Sequence, residues 1–123
     1  MINSYATYGS TGGITTLLAE KFQESGHEVL VCYGYNEGMP LPSKYIKLTF
    51  RGEIFLASKI GKIFGNHGLF CFFSTFKLRK IIKRYKPDVV QLFNLHASYI
   101  DDLKLLEYLK TRKINTVYTM FDE

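Results

Sequence analysis

Apolar and polar positions in the first third of the chain predict a strand, a helix and a second strand. A very short apolar start precedes a glycine-rich run at residues 8–13, and helical spacing of apolar residues follows directly. The residues at that spacing, which predict the helix, are Ile14, Leu17, Leu18 and Phe22. Gly26 stands where a C-terminal cap is expected, and the β-branched and aromatic run at residues 28–33 predicts the next strand.

The middle of the chain predicts loops, a short strand and one well-marked helix. Residues 36–43 are rich in glycine and proline and predict a loop, whereas the alternation over residues 45–50 predicts a strand. Residues 51–74 follow no single period, so we expect a helix and an irregular loop there. Thr75 is predicted to cap a helix that Pro87 ends. The apolar positions along one face of that helix are Leu78, Ile81, Ile82 and Tyr85.

The last third adds a strand, a helix and a strand. Residues 89–93 predict a buried strand, Asp101 and Asp102 suit a helix start, and residues 114–120 predict a final strand. The predicted inner face of the helix consists of Leu103, Leu106 and Leu109. Strands alternating with helices give βαβ units, so the predicted fold class is α/β: a Rossmann-like, doubly wound, mostly parallel sheet with helices on both faces. We expect a single domain over residues 1–123.

In sheets of this kind ligands bind beyond the carboxyl ends of the strands, so residues 9–13, 94–99 and 121–123 are expected to converge. A glycine-rich turn entering a helix brings backbone N–H groups and the positive end of the helix dipole to an anion. The predicted phosphate-binding residues are Ser10, Thr11, Gly12 and Gly13. The glycine spacing is not the dinucleotide fingerprint, and no lysine follows as in a P-loop. The alternative is a tight turn whose glycines only allow close packing of the helix.

Polar side chains follow two predicted strands at the same edge of the sheet. They are predicted to hydrogen-bond sugar hydroxyls or to act on protons, and they are Asn94, His96, Tyr99 and Asp122. The alternative is structural, because a histidine that follows a strand often satisfies loop carbonyl groups. No cluster of His, Cys and carboxylate residues has the spacing of a metal site.

Charge adds a second candidate surface. The net charge of +5 favours anionic partners such as nucleotides, phospholipid headgroups or nucleic acid, although the chain has no recognisable nucleic-acid-binding module. The basic residues on the outward side of the helix before Pro87, predicted to face an anionic membrane, are Lys77, Arg79, Lys80, Lys83 and Arg84. The alternative is a solvated face.

Composition limits the class of protein further. Hydrophobic residues make up 46% and charged residues 22% of the sequence, which is typical of a folded, soluble domain. No uninterrupted run of about 20 apolar residues predicts a transmembrane helix. Cys32 and Cys71 lie far apart, and no signal peptide precedes Ser4, so we expect buried thiols in a cytoplasmic protein.

Four stretches of sequence together resemble one family. They are Asn3 and Ser4 with residues 9–12; residues 24–29; His67 and Gly68 followed by Ser74 and Thr75; and residues 86–90 leading into residues 94–96. They are similar to the amino-terminal half of the bacterial group 1 (family 4) glycosyltransferases of the GT-B fold, especially those of capsular and O-antigen polysaccharide synthesis. The resemblance covers nearly the whole chain.

This resemblance implies a retaining transfer of a sugar from a nucleotide-sugar, as co-substrate, to a glycan or lipid-linked acceptor, with no resident cofactor. It implies that Gly12 and Gly13 lie near the donor diphosphate and that Asn94, His96 and Asp122 lie near the sugars. The basic helix face before Pro87 adds the expectation of a peripheral location on the inner face of the plasma membrane. In the family the carboxyl-terminal domain binds the nucleotide. We therefore expect this chain to associate with a donor-binding partner or with a second copy of itself.

The chain departs from the family pattern at three places. Relatives usually have Arg in place of Gly13, His in place of Phe93 and His in place of Phe121. Each change removes a cation or a hydrogen-bonding ring from the expected site. Because the donor-binding domain is absent from these residues, the isolated chain is expected to be inactive. The alternatives are a non-catalytic, membrane-associated binding module that keeps the fold and a nucleotide-binding domain of another enzyme type.

Overall fold

The described residues form a five-stranded, wholly parallel sheet. The computed structural model describes residues 1–7, 9–36, 41, 44–49, 52, 55, 59, 63, 71–95 and 99–120. The strands are β1 (Ile2–Tyr5), β2 (Val31–Tyr35), β3 (Tyr45–Lys47), β4 (Val90–Leu92) and β5 (Thr116–Tyr118), in the order β3-β2-β1-β4-β5. The central strand is therefore β1, and the order reverses direction there, as in doubly wound sheets.

Among the described residues, three helices with continuous ranges flank the sheet: α1 (Gly9–Glu24), α2 (Phe72–Tyr85) and α3 (Asp102–Thr111). The two faces carry separate apolar clusters, because neighbouring residues of a strand point to opposite faces. Val31 packs with Ala19 of α1, whereas Cys32 belongs to the larger cluster with Leu78 of α2 and Leu105 of α3. The predicted fold class, an α/β Rossmann-like parallel sheet with helices on both faces, is confirmed.

Helix ends follow the local sequence closely in two of three places. The Asp101 side chain accepts a hydrogen bond from the Lys104 amide and caps α3, as predicted. Helix α2 ends at Tyr85 before Pro87, and its cap Lys86 is left-handed (φ 49°). The predicted start of α2 is wrong, since the helix begins at Phe72 and Thr75 lies inside it. The Thr75 hydroxyl donates back to the Cys71 carbonyl instead of capping a helix that starts after it.

The helix predicted from the apolar spacing is present as α1, but the large apolar residues do not form its inner face. Its large apolar side chains lie at the surface, with Leu17 54% exposed and Ile14 and Phe22 also exposed. The residues that face the sheet are small: Gly12, Thr15 and Ala19. Small side chains let the helix approach the strands closely, so the bulkier residues are displaced towards solvent.

In helix α3, too, the buried face differs from the apolar positions that the spacing suggests. Leu103 (62% exposed) and Leu106 are exposed, whereas Leu105, Tyr108 and Leu109 are buried, so only the last of the three predicted inner positions is correct. The Tyr108 ring on this face is contacted by two guanidinium groups, those of Arg79 at 4.7 Å and Arg112 at 5.6 Å from the ring centroid.

The predicted helix and loop at residues 51–74 lie largely outside the described residues. Four single positions there, residues 52, 55, 59 and 63, are helical and exposed. The Lys59 ammonium lies 4.6 Å from the ring centroid of Phe55, one turn earlier. Within the part of the chain that the structure describes, no helix combines the length and the apolarity needed to cross a bilayer.

Candidate functional site

The glycine-rich run forms the first turn of α1 rather than a loop ahead of the helix. Because α1 begins at Gly9, the backbone N–H groups at its start have no partner within the helix. The first turn contains no acidic residue to offset the positive end of the helix dipole. Ser10 and Gly13 are exposed and Thr11 is half-buried. The start of α1 is therefore an accessible position for an anion.

The two neighbouring glycines of this turn serve different purposes. A Cβ atom on Gly12 would lie 2.7 Å from the carbonyl carbon of Thr7, so this residue must be small for the helix to approach the end of β1. A Cβ atom on Gly13 would meet nothing within 4 Å. The packing explanation of the glycines thus holds for Gly12, and Gly13 is open towards solvent.

Asn3 joins the start of α1 to the end of β4. Its side chain is fully buried; the amide donates to the Thr15 hydroxyl at 2.9 Å and to the Tyr5 carbonyl at 3.0 Å. Its Oδ1 accepts from the backbone N–H groups of Ser4 (2.9 Å) and Asn94 (3.4 Å). One side chain therefore brings Asn94 and the first turns of α1 to a common edge of the sheet, as predicted for two of the three candidate segments.

Tyr99 is a correction to the predicted sugar-binding set. Its side chain is 0% exposed, and its hydroxyl donates to the Asn94 carbonyl at 2.8 Å. Burial raises the pKa of its phenol well above the ordinary value. Tyr99 supports the backbone of Asn94 from the core and is not accessible to a ligand.

Two other tyrosines at this edge were missed by sequence reasoning. Tyr5 and Tyr35 end the neighbouring strands β1 and β2, both are half-buried, and their ring centroids lie 5.6 Å apart. Burial, together with nearby Cys71 and Tyr5, raises the pKa of Tyr35 to about 12, so this phenol stays protonated. Their position as the last residues of two strands is the sequence signal that would have found them.

Buried hydroxyl groups lie at the same end of β1. The Oγ of Ser4 and the Oγ1 of Thr7 are buried without a hydrogen-bond partner among the described residues. The Thr16 hydroxyl, by contrast, donates to the Gly12 carbonyl at 3.1 Å. This edge of the sheet is thus more polar than the apolar clusters beneath it.

The remaining predicted site residues fall into two groups. His96 and Asp122 lie outside the described residues. The five basic residues of α2 are all exposed: Lys77, Arg79, Lys80, Lys83 and Arg84. Among residues that the structure describes, no group of three or more His, Cys, Asp and Glu side chains is placed to hold a metal ion.

The basic face of α2 also includes three aromatic side chains. Phe72, Phe73 and Phe76 are exposed, the last two by 68% and 63%. The Lys80 ammonium lies 6.0 Å from the ring centroid of Phe76, on the same side of the helix. Aromatic residues at the first turns and basic residues at the later turns thus share one solvent-facing surface.

Comparisons with known proteins found no relative, so the chemistry of the site is inferred from its geometry. No family model, curated protein or solved structure matches the chain. What the described residues define is an α/β domain with a polar edge, where Asn3 contacts both Thr15 of α1 and the backbone of Asn94.

Proposed function

We propose that this chain is the acceptor-side domain of a glycosyltransferase that moves a sugar from a nucleotide-sugar to a glycan or lipid-linked acceptor in cell-surface polysaccharide synthesis. The observation that carries the proposal is the contact of Asn3 with both Thr15 and Asn94, which joins the glycine-rich helix start to the end of β4. A diphosphate and a sugar are adjacent in a nucleotide-sugar, so a domain that serves both needs these two segments together.

Each segment has a chemical role in this proposal. The N–H groups at the start of α1 receive phosphate oxygens, since the helix dipole favours negative charge there. The Asn94 side chain hydrogen-bonds sugar hydroxyls, together with His96 and Asp122. The nucleotide-sugar is a co-substrate, and the chemistry needs a donor-binding domain from this or another polypeptide. The exposed apolar side chains of α1, Ile14 and Leu17, support contact with such a partner.

The test uses an arginine at Gly13, an open glycine near the start of α1. Gly13→Arg adds a cation at the helix start, where a Cβ atom meets nothing within 4 Å, so we expect it to strengthen binding of a nucleoside diphosphate roughly tenfold. Binding of UDP and GDP is followed by chemical-shift changes of backbone amides, with Gly9 and Ser10 expected to move most. Gln23→Arg, an exposed position near the other end of α1, is the matched charge control. Equal gains in both variants, or shifts away from α1, would contradict the proposal.

A second candidate is a non-catalytic binding module at the inner face of the plasma membrane. The specific observation in its favour is the surface of α2 that combines exposed Phe73 and Phe76 with five exposed basic residues. Basic residues attract anionic headgroups at about 1 kcal/mol each near the surface, and aromatic rings enter the boundary between headgroups and acyl chains.

Liposome flotation distinguishes this candidate from a merely solvated face. Vesicles that contain phosphatidylserine should carry the protein, and Phe73→Ser with Phe76→Ser should reduce the bound fraction several-fold at unchanged charge. Leu17→Ser, an exposed apolar residue on α1 at the opposite face of the sheet, is the control. A bound fraction that the Phe variants leave unchanged, or that neutral vesicles reproduce, would rule out this surface.

A further inference from the structure

Strand β5 forms one edge of the described sheet, and all three of its residues are exposed. Val117 is 51% exposed and Tyr118 44%, and Met120, just beyond the strand, is 78% exposed. Residues 114–120 include no charged residue, proline or glycine. Natural edge strands usually carry charges or prolines that prevent pairing with another chain. The sequence of β5 contains neither of these protections.

The opposite edge of the sheet, formed by β3, is protected. Lys44 and Lys47 lie on this edge, and both are exposed. The Lys44 carbonyl and the Leu48 N–H bond to β2, so the Lys47 backbone, between them in the alternation, faces outwards. The Lys77 ammonium of α2 donates to the Lys47 carbonyl. A strand that paired with β3 would therefore have to displace a lysine side chain.

On β5, by contrast, the outward backbone groups are open to pairing. The Asn115 carbonyl and the Thr119 N–H both bond to β4. Because successive residues alternate, the N–H and C=O groups of Thr116 and Tyr118 point away from β4. Among the described strands, β5 is the last on that side of the sheet. Thr116 and Tyr118 are thus placed to form backbone hydrogen bonds with a further strand.

Helix α3 adds apolar side chains beside the same edge. Its Lys104 faces α2, since the ammonium lies 4.6 Å from the ring centroid of Phe72. Leu106 lies two residues further, about 200° around the helix, and so faces away from α2. Because α3 connects β4 to β5, this side of the helix lies on the β5 side of the sheet. Leu106 and Leu103 are both exposed there.

We propose that this chain forms a symmetric dimer in which β5 pairs with β5 of a second copy in antiparallel orientation. A two-fold axis through the Val117 position sets Thr116 of each copy opposite Tyr118 of the other, so their outward N–H and C=O groups pair. The two sheets then form one continuous sheet. On one of its faces the Leu106 sides of the two α3 helices meet across the axis, and these exposed side chains become buried.

The occupant is a second copy because the surface is self-complementary. The outward groups of Thr116 and Tyr118 are related to themselves by a two-fold axis, and neither side of the contact brings a charge into it. Pairing of β5 with β3 would displace Lys77, and such a head-to-tail contact would continue into open filaments. Pairing of β5 with itself closes after two copies.

The first experiment places a cysteine at the axis. Val117→Cys sets two thiols at a non-hydrogen-bonded antiparallel pair, whose Cα atoms lie about 4.5 Å apart, within the range that a disulfide accepts. Leu17→Cys, a similarly exposed position on α1, is the matched control, and the native Cys32 and Cys71 are buried. With oxidised glutathione as oxidant, the Val117 variant should give at least about tenfold more covalent dimer than the control. Equal yields, or no dimer from Val117→Cys, would overturn the proposal.

Sedimentation velocity of the unmodified chain tests the same dimer without a new cysteine. The chain is expected to shift from monomer towards dimer between roughly 10 and 300 μM, and Val117→Lys should weaken the association at least about tenfold. Leu17→Lys adds the same charge on α1 and should leave it unchanged. Circular dichroism checks that each variant is folded. A chain that stays monomeric over this range, or one that only Leu17→Lys dissociates, would rule out pairing through β5.

Discussion

The side-chain amide of Asn3 lies 2.9 Å from the Thr15 hydroxyl, which in turn donates to the Thr11 carbonyl inside α1. This chain of contacts links the central strand to the second turn of the helix. Asn3 also accepts from the amides of Ser4 and Asn94, so one buried side chain holds four groups from three elements. Loss of this one side chain would leave several buried groups without hydrogen bonds at once.

Asn3→Ala is expected to lower the free energy of unfolding by about 2–4 kcal/mol, because it leaves buried amide partners without hydrogen bonds. Urea denaturation followed by circular dichroism measures the change. Asn115→Ala is the matched control, since that amide makes a single exposed contact of 3.4 Å with the Asp88 carbonyl, and a loss below about 0.5 kcal/mol is expected. Similar losses in the two variants would contradict the role given to Asn3.

Thr75 joins the start of α2 to the cap of α3. Its hydroxyl donates to the Cys71 carbonyl at 2.6 Å and accepts from the Asp101 N–H at 2.8 Å. Thr75→Val keeps the shape and removes both hydrogen bonds, so a loss of about 1–3 kcal/mol is expected in urea denaturation. Thr75→Ser keeps the hydroxyl and should lose about 1 kcal/mol for one methyl group. A larger loss in the serine variant would show that packing, not hydrogen bonding, governs this position.

The order of strands and helices could be predicted because short stretches of sequence, such as helix caps and prolines, determine where each element begins and ends. Asp101 caps a helix through its own side chain, and Pro87 ends one through its fixed backbone, so neither needs the rest of the fold. The facing of α1 could not be predicted in the same way. Periodicity selects the apolar stripe that contains Leu17, but the close approach of helix to sheet favours Gly12 and Ala19 on the inside.

The location of the candidate site could be predicted from the sequence, but the orientation of its side chains could not. Its location at the carboxyl ends of the strands follows from the α/β pattern, and Asn94 lies there. Tyr99 was predicted as a sugar ligand because it follows a strand, yet its distance from the strand end turns it back into the core. Tyr35 was overlooked because the predicted second strand ended at residue 33, whereas β2 extends to Tyr35. The side to which a residue points at a strand end depends on tertiary packing, which the sequence alone does not specify.

Cys32 makes stability depend on pH in the alkaline range. Burial raises the pKa of its thiol from 9.0 to about 11, and the Met1 amine and Lys77 oppose that shift only in part. The thiolate forms more readily in the unfolded chain, so stability is fully present below about pH 9 and falls as pH rises to 11, by up to about 3 kcal/mol. Urea denaturation between pH 8 and 11 measures this slope.

Cys32→Ala provides the control for that slope. The variant removes the thiol, so its stability should decline less over the same pH range, although Tyr35 still contributes in the same direction at higher pH. The native thiol should also react with a disulfide reagent at pH 8 far more slowly than the unfolded chain, because it is buried and protonated. Parallel pH profiles for the two proteins would contradict the assignment.

Gly34 and Gly13 give a matched pair of alanine substitutions with opposite expected signs. A Cβ atom on Gly34 would lie 2.6 Å from the Cβ of Tyr99. A change in the rotamer of the Tyr99 ring does not move this Cβ atom away. Gly34→Ala therefore displaces backbone and is expected to lower stability by about 1–3 kcal/mol or more. Gly13→Ala meets no atom within 4 Å and replaces a helical glycine, so it should be neutral or stabilising by up to about 1 kcal/mol. Thermal denaturation of both variants measures the difference, and a destabilised Gly13→Ala protein would show that this open position is packed in solution.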